Sequence, residues 1–190
     1  MRNILIVLSG PSGVGKGTVA KILAEKHNNI ALSVSYTTRA PRQGEREGIE
    51  YFFVSEKQFE DKIAENGFLE YSRHFENYYG TPKDFVLEKL KNHDVLLEID
   101  VNGGLKVKEN FKDAVLIMLA PPSIEEVRQR LKHRNTESDE KITLRIERIK
   151  YELEKQPLYD YVVVNDELDK AVEKIENIIA SEKTDKGELL

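Results

Sequence analysis

Apolar residues along the chain occur in short continuous runs, and two of these runs are followed by stretches of helical periodicity. A run that is apolar at nearly every position predicts a strand buried on both faces. Four runs have this character: Ile4–Ser9, Val95–Asp100, Ala114–Ala120 and Tyr161–Val164. Helical spacing follows the first run over Thr18–Lys26 and the last run over Ala171–Ala180. Strands that alternate with helices predict an α/β fold with a parallel sheet.

Cap signals predict where further helices begin. Ser55 with Gln58, and Ser123 with Glu126, have the spacing of capping boxes. Thr81-Pro82 predicts a helix with proline at its first position and threonine as its cap.

The alternation of strands and helices is interrupted twice. From Ser33 to about Lys91, predicted strands at Ala31–Tyr36 and Tyr51–Val54 flank a polar, charged stretch. We interpret this part of the chain as an inserted subdomain. The second interruption, Arg128–Lys150, is very polar and rich in arginine.

The composition narrows the classes of protein. A chain of 190 residues with 39% hydrophobic residues is long enough for one domain with its own core. The absence of cysteine excludes disulfide scaffolds, Cys-ligated zinc and thiol nucleophiles. The apolar run at Ile4–Leu8 is too short for a signal peptide or a membrane span, so we expect a soluble cytoplasmic protein.

The net charge of −5 argues against nucleic acid as a partner and, at first sight, against phosphate ligands as well. Two regions of opposite charge contribute to this total, and the acidic excess comes substantially from the C-terminal one. Arg128–Lys150 has eight Lys and Arg against four Asp and Glu, whereas Tyr151–Leu190 has five against eleven. The acidic total therefore does not exclude nucleotides.

A glycine-rich loop lies between the first predicted strand and helix: Gly10-Pro11-Ser12-Gly13-Val14-Gly15-Lys16-Gly17-Thr18. Its glycines let successive N–H groups point at one anion, and Lys16 adds a positive charge near a β- or γ-phosphate. A glycine-rich turn with an incidental lysine is the alternative, which the flanking strand and helix disfavour. Gly17 stands where phosphate loops usually have Ser or Thr, so we expect Thr18 to contact phosphate while Mg²⁺ is held largely through water. Lys-Gly-Thr in this position resembles the nucleoside-monophosphate kinases.

A second constellation lies in the segment that follows. Arg39 and Arg42 are three apart around a proline, which allows two guanidinium groups to converge on one phosphate. Tyr51 can donate its hydroxyl to the same oxygens. The alternative is a solvated charge patch, because three glutamates of the segment balance its three arginines.

The segment Ser35–Val54 resembles the signature of the guanylate kinase family, with every signature position filled from Thr37 onward. This resemblance, which extends over about Ile4–Ile179, implies a GMP site. Its residues are Ser35, Arg39, Arg42, Tyr51, Glu70, Tyr79, Thr81 and Asp100. Glu70 would accept hydrogen bonds from guanine N1–H and the 2-amino group, and Asp100, at a strand end, would lie near the acceptor nucleoside.

The same resemblance implies a lid and a donor site. Arg134 and Arg145 match lid arginines that clamp phosphate, and Asn165 matches a loop that contacts adenine. The implied catalytic residues are Lys16, Arg39, Arg134 and Arg145, and the implied ATP site is the glycine-rich loop with Arg134 and Asn165. Mg²⁺ is the implied cofactor, with Thr18 as its one candidate protein ligand. For Glu98 we favour a structural salt bridge or a role in supporting the site residues, and for Arg128, Arg130 and Arg148 a charged helix pair.

The resemblance implies a single domain with the α/β fold of phosphate-loop nucleoside triphosphatases, a parallel sheet flanked by helices. The core would comprise 1–32, 92–127 and 156–190, with a GMP-binding subdomain at 33–91 and a lid at 128–155. The expected reaction transfers the γ-phosphoryl group of Mg-ATP to GMP. Two alternatives stay open: a phosphate-loop kinase for another small acceptor, and a non-catalytic module of the same fold that binds a phosphopeptide. Neither nucleic acid nor a membrane is expected as a partner, and the sequence leaves the oligomeric state open.

Overall fold

The computed structural model describes residues 2–74, 76–133 and 139–185, and these residues form nine strands and seven α-helices. The strands are β1 (Leu5–Ser9), β2 (Ile30–Leu32), β3 (Ser35–Thr37), β4 (Tyr51–Phe53), β5 (Phe68–His74), β6 (Asn77–Pro82), β7 (Asp94–Glu98), β8 (Val115–Ala120) and β9 (Tyr161–Val164). The helices are α1 (Lys16–Lys26), α2 (Glu56–Ala64), α3 (Lys83–Leu90), α4 (Val101–Asn110), α5 (Ile124–His133), α6 (Asp139–Leu153) and α7 (Leu168–Asp185).

A five-stranded sheet forms the centre of the fold, with strand order β2-β7-β1-β8-β9. All neighbouring pairs in it are parallel: Ile6, for example, lies opposite Leu96 on one side and Val115 on the other. The predicted parallel α/β fold is confirmed. Because the strands are parallel, their carboxyl ends meet at one edge, where the loops after them can build a site.

The central strand β1 is apolar at nearly every position because helices cover both of its faces. Ile6 and Leu8 pack with residues of α1 and α7, whereas Leu5 and Val7 pack with residues of α3 and α4. All four side chains are at most 1% exposed. Each contributes roughly 2 kcal/mol by burial.

A second sheet, with strand order β4-β3-β6-β5, occupies the part of the chain that breaks the alternation. Its aromatic core centres on the fully buried Phe59 of α2, whose ring stacks on Phe68 at 4.4 Å and on Tyr78 at 5.1 Å. The capping box of Ser55 and Gln58 at the start of α2 is confirmed. At α5, the Glu126 N–H donates to Ser123 Oγ at 3.1 Å, as the sequence predicts.

The single strand predicted at Ala31–Tyr36 is wrong, because this stretch forms two strands in different sheets. β2 pairs with β7 of the central sheet, and β3 pairs with β4 and β6 of the second sheet. Ser33 lies between them and donates its N–H to Leu96 O at 3.0 Å. Apolar and polar residues alternate without a break through Ser33, so the sequence pattern does not show that the neighbouring strand changes there.

The predicted cap at Thr81-Pro82 is also wrong by one position. β6 continues through Pro82, which takes the N-cap position of α3 with no side-chain cap, and the helix begins at Lys83. Thr81 is fully buried and bonds to Glu70 instead. A long-range partner inside the second sheet has replaced the local one.

Candidate active site

The glycine-rich loop joins β1 to α1, and three of its glycines, Gly10, Gly13 and Gly15, have positive φ angles that other residues rarely adopt. Gly15 has a φ of +98° and occupies the N-cap position of α1, and Gly10 has a φ of +148°. A Cβ atom on Gly10 would collide with the carbonyl oxygen of Leu119 on β8. The free N–H groups of the first turn of α1 therefore follow directly on the loop, an arrangement that binds anions.

Lys16, the first residue of α1, folds back over this loop. Its Nζ donates to Gly10 O at 2.6 Å and to Pro11 O at 3.1 Å. Burial lowers the pKa of Lys16, and the nearby carboxylate of Glu98 acts in the opposite direction. The ammonium group is thus held at the loop by weak neutral acceptors, from which an anionic phosphate can draw it.

Two carboxylates lie at the carboxyl end of β7: Glu98 is its last residue, and Asp100 follows two residues later. A Cβ on Gly17 would lie 3.3 Å from Glu98 Oε2, so the carboxylate reaches the phosphate loop. Burial raises the pKa of Glu98, and the charge of Lys16 opposes that rise. No described residue forms the salt bridge that the sequence led us to expect for Glu98. Asp100 accepts the Gly103 N–H at 2.7 Å and so caps α4.

Glu70 on β5 is a buried carboxylate, 7% exposed, at the base of the second sheet. Thr81 Oγ1 donates to its Oε1 at 2.7 Å. Burial raises the pKa of Glu70 to about 7, with the charge of Asp100 acting in the same direction and the hydrogen bond from Thr81 against it. A Cβ on Gly103 would lie 3.1 Å from Glu70 Oε2, so α4 packs closely against this carboxylate.

Arg39 and Arg42 both line the same cavity as Glu70. The guanidinium of Arg39 is already engaged: its Nη2 contacts both carboxylate oxygens of Glu45, at 2.9 and 3.0 Å. Its Cζ lies 5.5 Å from the ring centroid of Tyr51, and that ring lies 6.0 Å from the ring of Tyr79. These side chains form one wall that combines positive charge with phenol groups.

The helix α6 also contributes charged side chains to this cavity. Arg145 and Arg148 line the cavity, and Arg148 Nε donates to Glu152 Oε1 at 3.0 Å. Glu152 is only 7% exposed, whereas the Arg148 side chain is 55% exposed, so the pair joins a buried carboxylate to the charged surface of the helix. The four-residue spacing of the pair is visible in the sequence, but the burial of Glu152 is not. Arg134 lies outside the described residues.

Two predicted donor-site residues lie beside the loop rather than in the cavity wall. Asn165 follows β9 and donates its Nδ2 to Val14 O at 2.8 Å, which ties the loop to the last strand of the sheet. Thr18 is exposed in the first turn of α1. The adenine contact of Asn165 and the Mg²⁺ contact of Thr18 stay predictions.

One cavity of about 950 Å³ collects most of the predicted site. The predicted residues that line it are Gly10, Ser12, Gly13, Lys16, Ser35, Arg39, Arg42, Tyr51, Glu70, Tyr79, Asp100 and Arg145. Glu98, Arg148 and Glu152 also line it, and sequence reasoning placed none of them in contact with a ligand. The cavity therefore joins a phosphate loop to a carboxylate-containing pocket more than 50 residues away along the chain.

Two structural surveys complete the description of the site. In the part of the chain that the structure describes, no three His, Asp or Glu side chains lie close enough together to hold a metal ion by themselves. Among these residues, no helix has both the length and the apolar character needed to cross a membrane.

Comparison with known proteins assigns the family. The guanylate kinase family profile matches residues 2–182. The chain is 52% identical to guanylate kinase of Caldanaerobacter subterraneus subsp. tengcongensis, over 96% of this chain and 89% of the relative. It is 51% identical to guanylate kinase of Clostridium tetani, with 96% and 88% coverage.

A solved structure agrees with the sequence comparison. The crystal structure of guanylate kinase from Anaplasma phagocytophilum has a TM-score of 0.77 and 34% identity, over 95% of this chain and 86% of that chain. A shikimate kinase from Bacteroides thetaiotaomicron shares the fold alone, with a TM-score of 0.51 at 17% identity. On its sequence and on its structure, the chain belongs to the guanylate kinase family.

Proposed function

We propose that the chain transfers the γ-phosphoryl group of ATP to GMP, giving ADP and GDP. The observation that carries this proposal is the shared cavity, in which Lys16 of the phosphate loop and the pocket of Arg39 and Glu70 face one space. Phosphoryl transfer needs two nucleotides held in line and charge stabilisation around the transferred group. A common cavity meets the first need, and its cationic side chains meet the second.

The acceptor pocket has groups that suit GMP. Arg39 and Arg42 line the cavity, and their guanidinium groups suit a phosphate monoester. Tyr51 and Tyr79 add phenol groups on the same wall. Ionised Glu70 would accept N1–H and the 2-amino group of guanine, while Thr81 donates to its other oxygen.

The same pocket would reject adenine. Adenine has an acceptor at N1 and lacks the 2-amino group, so Glu70 would lose both donors and be left buried without them. A site built on such hydrogen bonds discriminates by about four orders of magnitude. Glu70 is therefore the residue that we propose to set the base specificity.

The donor site would consist of the phosphate loop, with Lys16 placed near the phosphate that develops charge. Arg145 of α6 would add positive charge from the other side of the cavity, together with Arg134. We propose that 128–155 acts as a lid, that 33–91 is the GMP-binding subdomain, and that 1–32, 92–127 and 156–190 form the core. Closing the lid would exclude water and so prevent transfer to it.

The residues at the mouth of the loop fit Mg²⁺. The Glu98 carboxylate lies against Gly17, and no described residue bonds to it, so it is an available oxygen ligand. Thr18 and Asp100 offer further oxygens nearby. Since Mg²⁺ usually takes one or two carboxylates with phosphates and waters, this donor set would hold the ion once ATP is bound. The ion would neutralise charge on the donor phosphates.

A comparison of acceptors tests the proposal. Initial rates with Mg-ATP would be measured with GMP, AMP, UMP and dTMP at equal concentrations. The assay would be run in the pH range of the cytoplasm, where we propose that the enzyme acts. We expect turnover with GMP that exceeds the others by at least 100-fold. Preference for another nucleotide would support a different small-molecule kinase, and no turnover with any of them would support a binding module. Either result would overturn the proposal.

A further inference from the structure

We propose that Glu45 is a positioning residue, which holds the guanidinium of Arg39 in the orientation that receives the acceptor phosphate. This inference rests on the function proposed above. It adds to the acceptor site a residue for which the family resemblance implied no role.

The geometry around Glu45 joins the two arginines of the acceptor segment. Arg39 Nη2 contacts both oxygens of the Glu45 carboxylate, and Glu45 Oε2 also accepts the Arg42 backbone N–H at 2.8 Å. Arg39 Nη1 donates to Ala40 O at 2.7 Å. Both Nη atoms of the guanidinium are therefore fixed by acceptors of the loop itself.

The pair of Arg39 and Glu45 is largely shielded from water. Their side chains are 14% and 18% exposed, whereas the other arginine–glutamate pair of this loop, Arg46 and Glu50, is 69% and 36% exposed. The hydrogen bond from Arg39 lowers the pKa of Glu45, and the bond from the Arg42 N–H lowers it further. Charge-assisted bonds in a shielded position hold a side chain in one geometry.

One nitrogen of the guanidinium is left over. Arg39 Nε is buried, and no described residue accepts its hydrogen. A buried donor without a partner is unfavourable, so this geometry of the guanidinium has to be held by the contacts of its two Nη atoms. Because Glu45 and Ala40 hold the two Nη atoms and Arg39 lines the cavity, the guanidinium is already ordered at the cavity wall when the ligand arrives, which favours binding.

The loop offers a matched control in Glu47. Its Oε2 accepts the Phe53 backbone N–H at 2.9 Å, so it is another loop carboxylate that fixes the backbone. No contact between Glu47 and Arg39 occurs among the described residues, and Glu47 does not line the cavity. A role that merely stabilises the loop would be shared by Glu45 and Glu47, and a role through Arg39 would not.

The test is steady-state kinetics on five proteins: the unchanged chain, Glu45→Gln, Glu47→Gln, Arg39→Ala and the double variant Glu45→Gln/Arg39→Ala. For Glu45→Gln we expect KM for GMP to rise about tenfold, in line with the loss of a charge-assisted hydrogen bond, with KM for ATP unchanged. Glu47→Gln is expected to match the unchanged chain. The double variant is expected to be no worse than Arg39→Ala alone, because Glu45 acts through Arg39.

Several outcomes would overturn the inference. The effects of Glu45→Gln and Arg39→Ala could multiply in the double variant, Glu47→Gln could raise KM for GMP equally, or Glu45→Gln could lower KM and so identify a carboxylate that competes with phosphate. If Glu45→Gln does not fold, Glu45→Asp replaces it, and an unchanged KM for GMP in that variant counts against the inference. An unchanged chain that does not phosphorylate GMP overturns the proposed function instead.

Discussion

At the scale of single residues, the site depends on polar groups that are buried with few partners. Among the described residues, Lys16 Nζ donates to two backbone carbonyls of its own loop, and Glu70 is hydrogen-bonded by Thr81. Such groups are costly in the free protein and become satisfied when a ligand of the right charge and pattern arrives. The charge and the hydrogen-bonding groups of these two residues therefore determine which ligand the site accepts.

Lys16→Ala removes the positive charge from the phosphate loop. We expect kcat to fall by about 100-fold or more, because this charge stabilises the transferring group. The dissociation constant of GMP, measured by calorimetry, is expected to change less than threefold, since the acceptor pocket is separate from the loop. Loss of GMP binding in this variant would contradict the assignment of Lys16 to the donor site.

Glu70 makes the stability of the free protein depend on pH. Its folded-state pKa of about 7 lies above the ordinary value of 4.5, so the folded protein binds the proton more tightly than the unfolded chain does. The ionised form therefore destabilises the fold above pH 7, by an amount on the order of 3 kcal/mol, and stability rises as the pH falls from 7 toward 4.5.

Glu70→Gln removes this pH dependence. Urea unfolding should show the variant to be more stable than the unchanged chain at pH 8, with the difference disappearing toward pH 4.5. The exposed Glu60 of α2 provides the control, because Glu60→Gln should leave the difference between pH 8 and pH 4.5 unaltered. A variant that is less stable at pH 8 would show that the ionised carboxylate is well solvated.

At the scale of elements, the sequence predicts what local rules determine. The central strands follow from their apolar runs, and the capping box at α2 follows from side-chain spacing. The break between β2 and β3 could not be predicted, because it depends on which strand each half meets. Thr81 was misassigned for the same reason: its partner Glu70 lies eleven residues away, across the β5–β6 pair.

Gly10→Ala tests the packing of the phosphate loop against the central sheet. The added Cβ would collide with Leu119 O on β8, and the φ of +148° is unfavourable for alanine. We expect a loss of about 3 kcal/mol in the free energy of unfolding. Gly13→Ala is the matched control: with φ +83° and open space around its Cβ, it should lose only about 1 kcal/mol. Equal losses of unfolding free energy in the two variants would mean that β8 shifts to accommodate the added Cβ.

At the scale of the whole molecule, the two sheets and the helix α6 place charged side chains around a common cavity. The phosphate loop and the carboxylates of β7 come from the central sheet, Glu70 and Arg39 from the second sheet and its loops, and Arg145 from α6. The motifs themselves could be predicted from the sequence. The pairs Arg39–Glu45 and Arg148–Glu152 could not be, because their importance depends on burial, which tertiary packing decides.

A buried ion pair connects the last helix to the far end of the central sheet. Asp94 is fully buried, accepts the Ile4 N–H and an Asn29 amide hydrogen, and pairs with Lys183 of α7 at 2.8 Å. Removing one partner of such a pair leaves a buried charge without compensation.

Lys183→Met should therefore destabilise the protein by about 3 kcal/mol in chemical unfolding. Lys170 lies on the same helix as Lys183 and forms an exposed pair with Glu167. Removing this pair with Lys170→Met should cost less than about 0.5 kcal/mol. Similar losses for the two variants would indicate that water reaches Asp94.

The central claim is that one cavity couples a phosphate loop to a guanine-reading carboxylate. Its most direct test is the ratio of kcat/KM for GMP to kcat/KM for AMP, measured in the unchanged chain and in Glu70→Ala. We predict a ratio of about 10⁴ for the unchanged chain and a drop of at least about 100-fold in the variant, with the fold retained. A ratio that is the same in both proteins would contradict the claim.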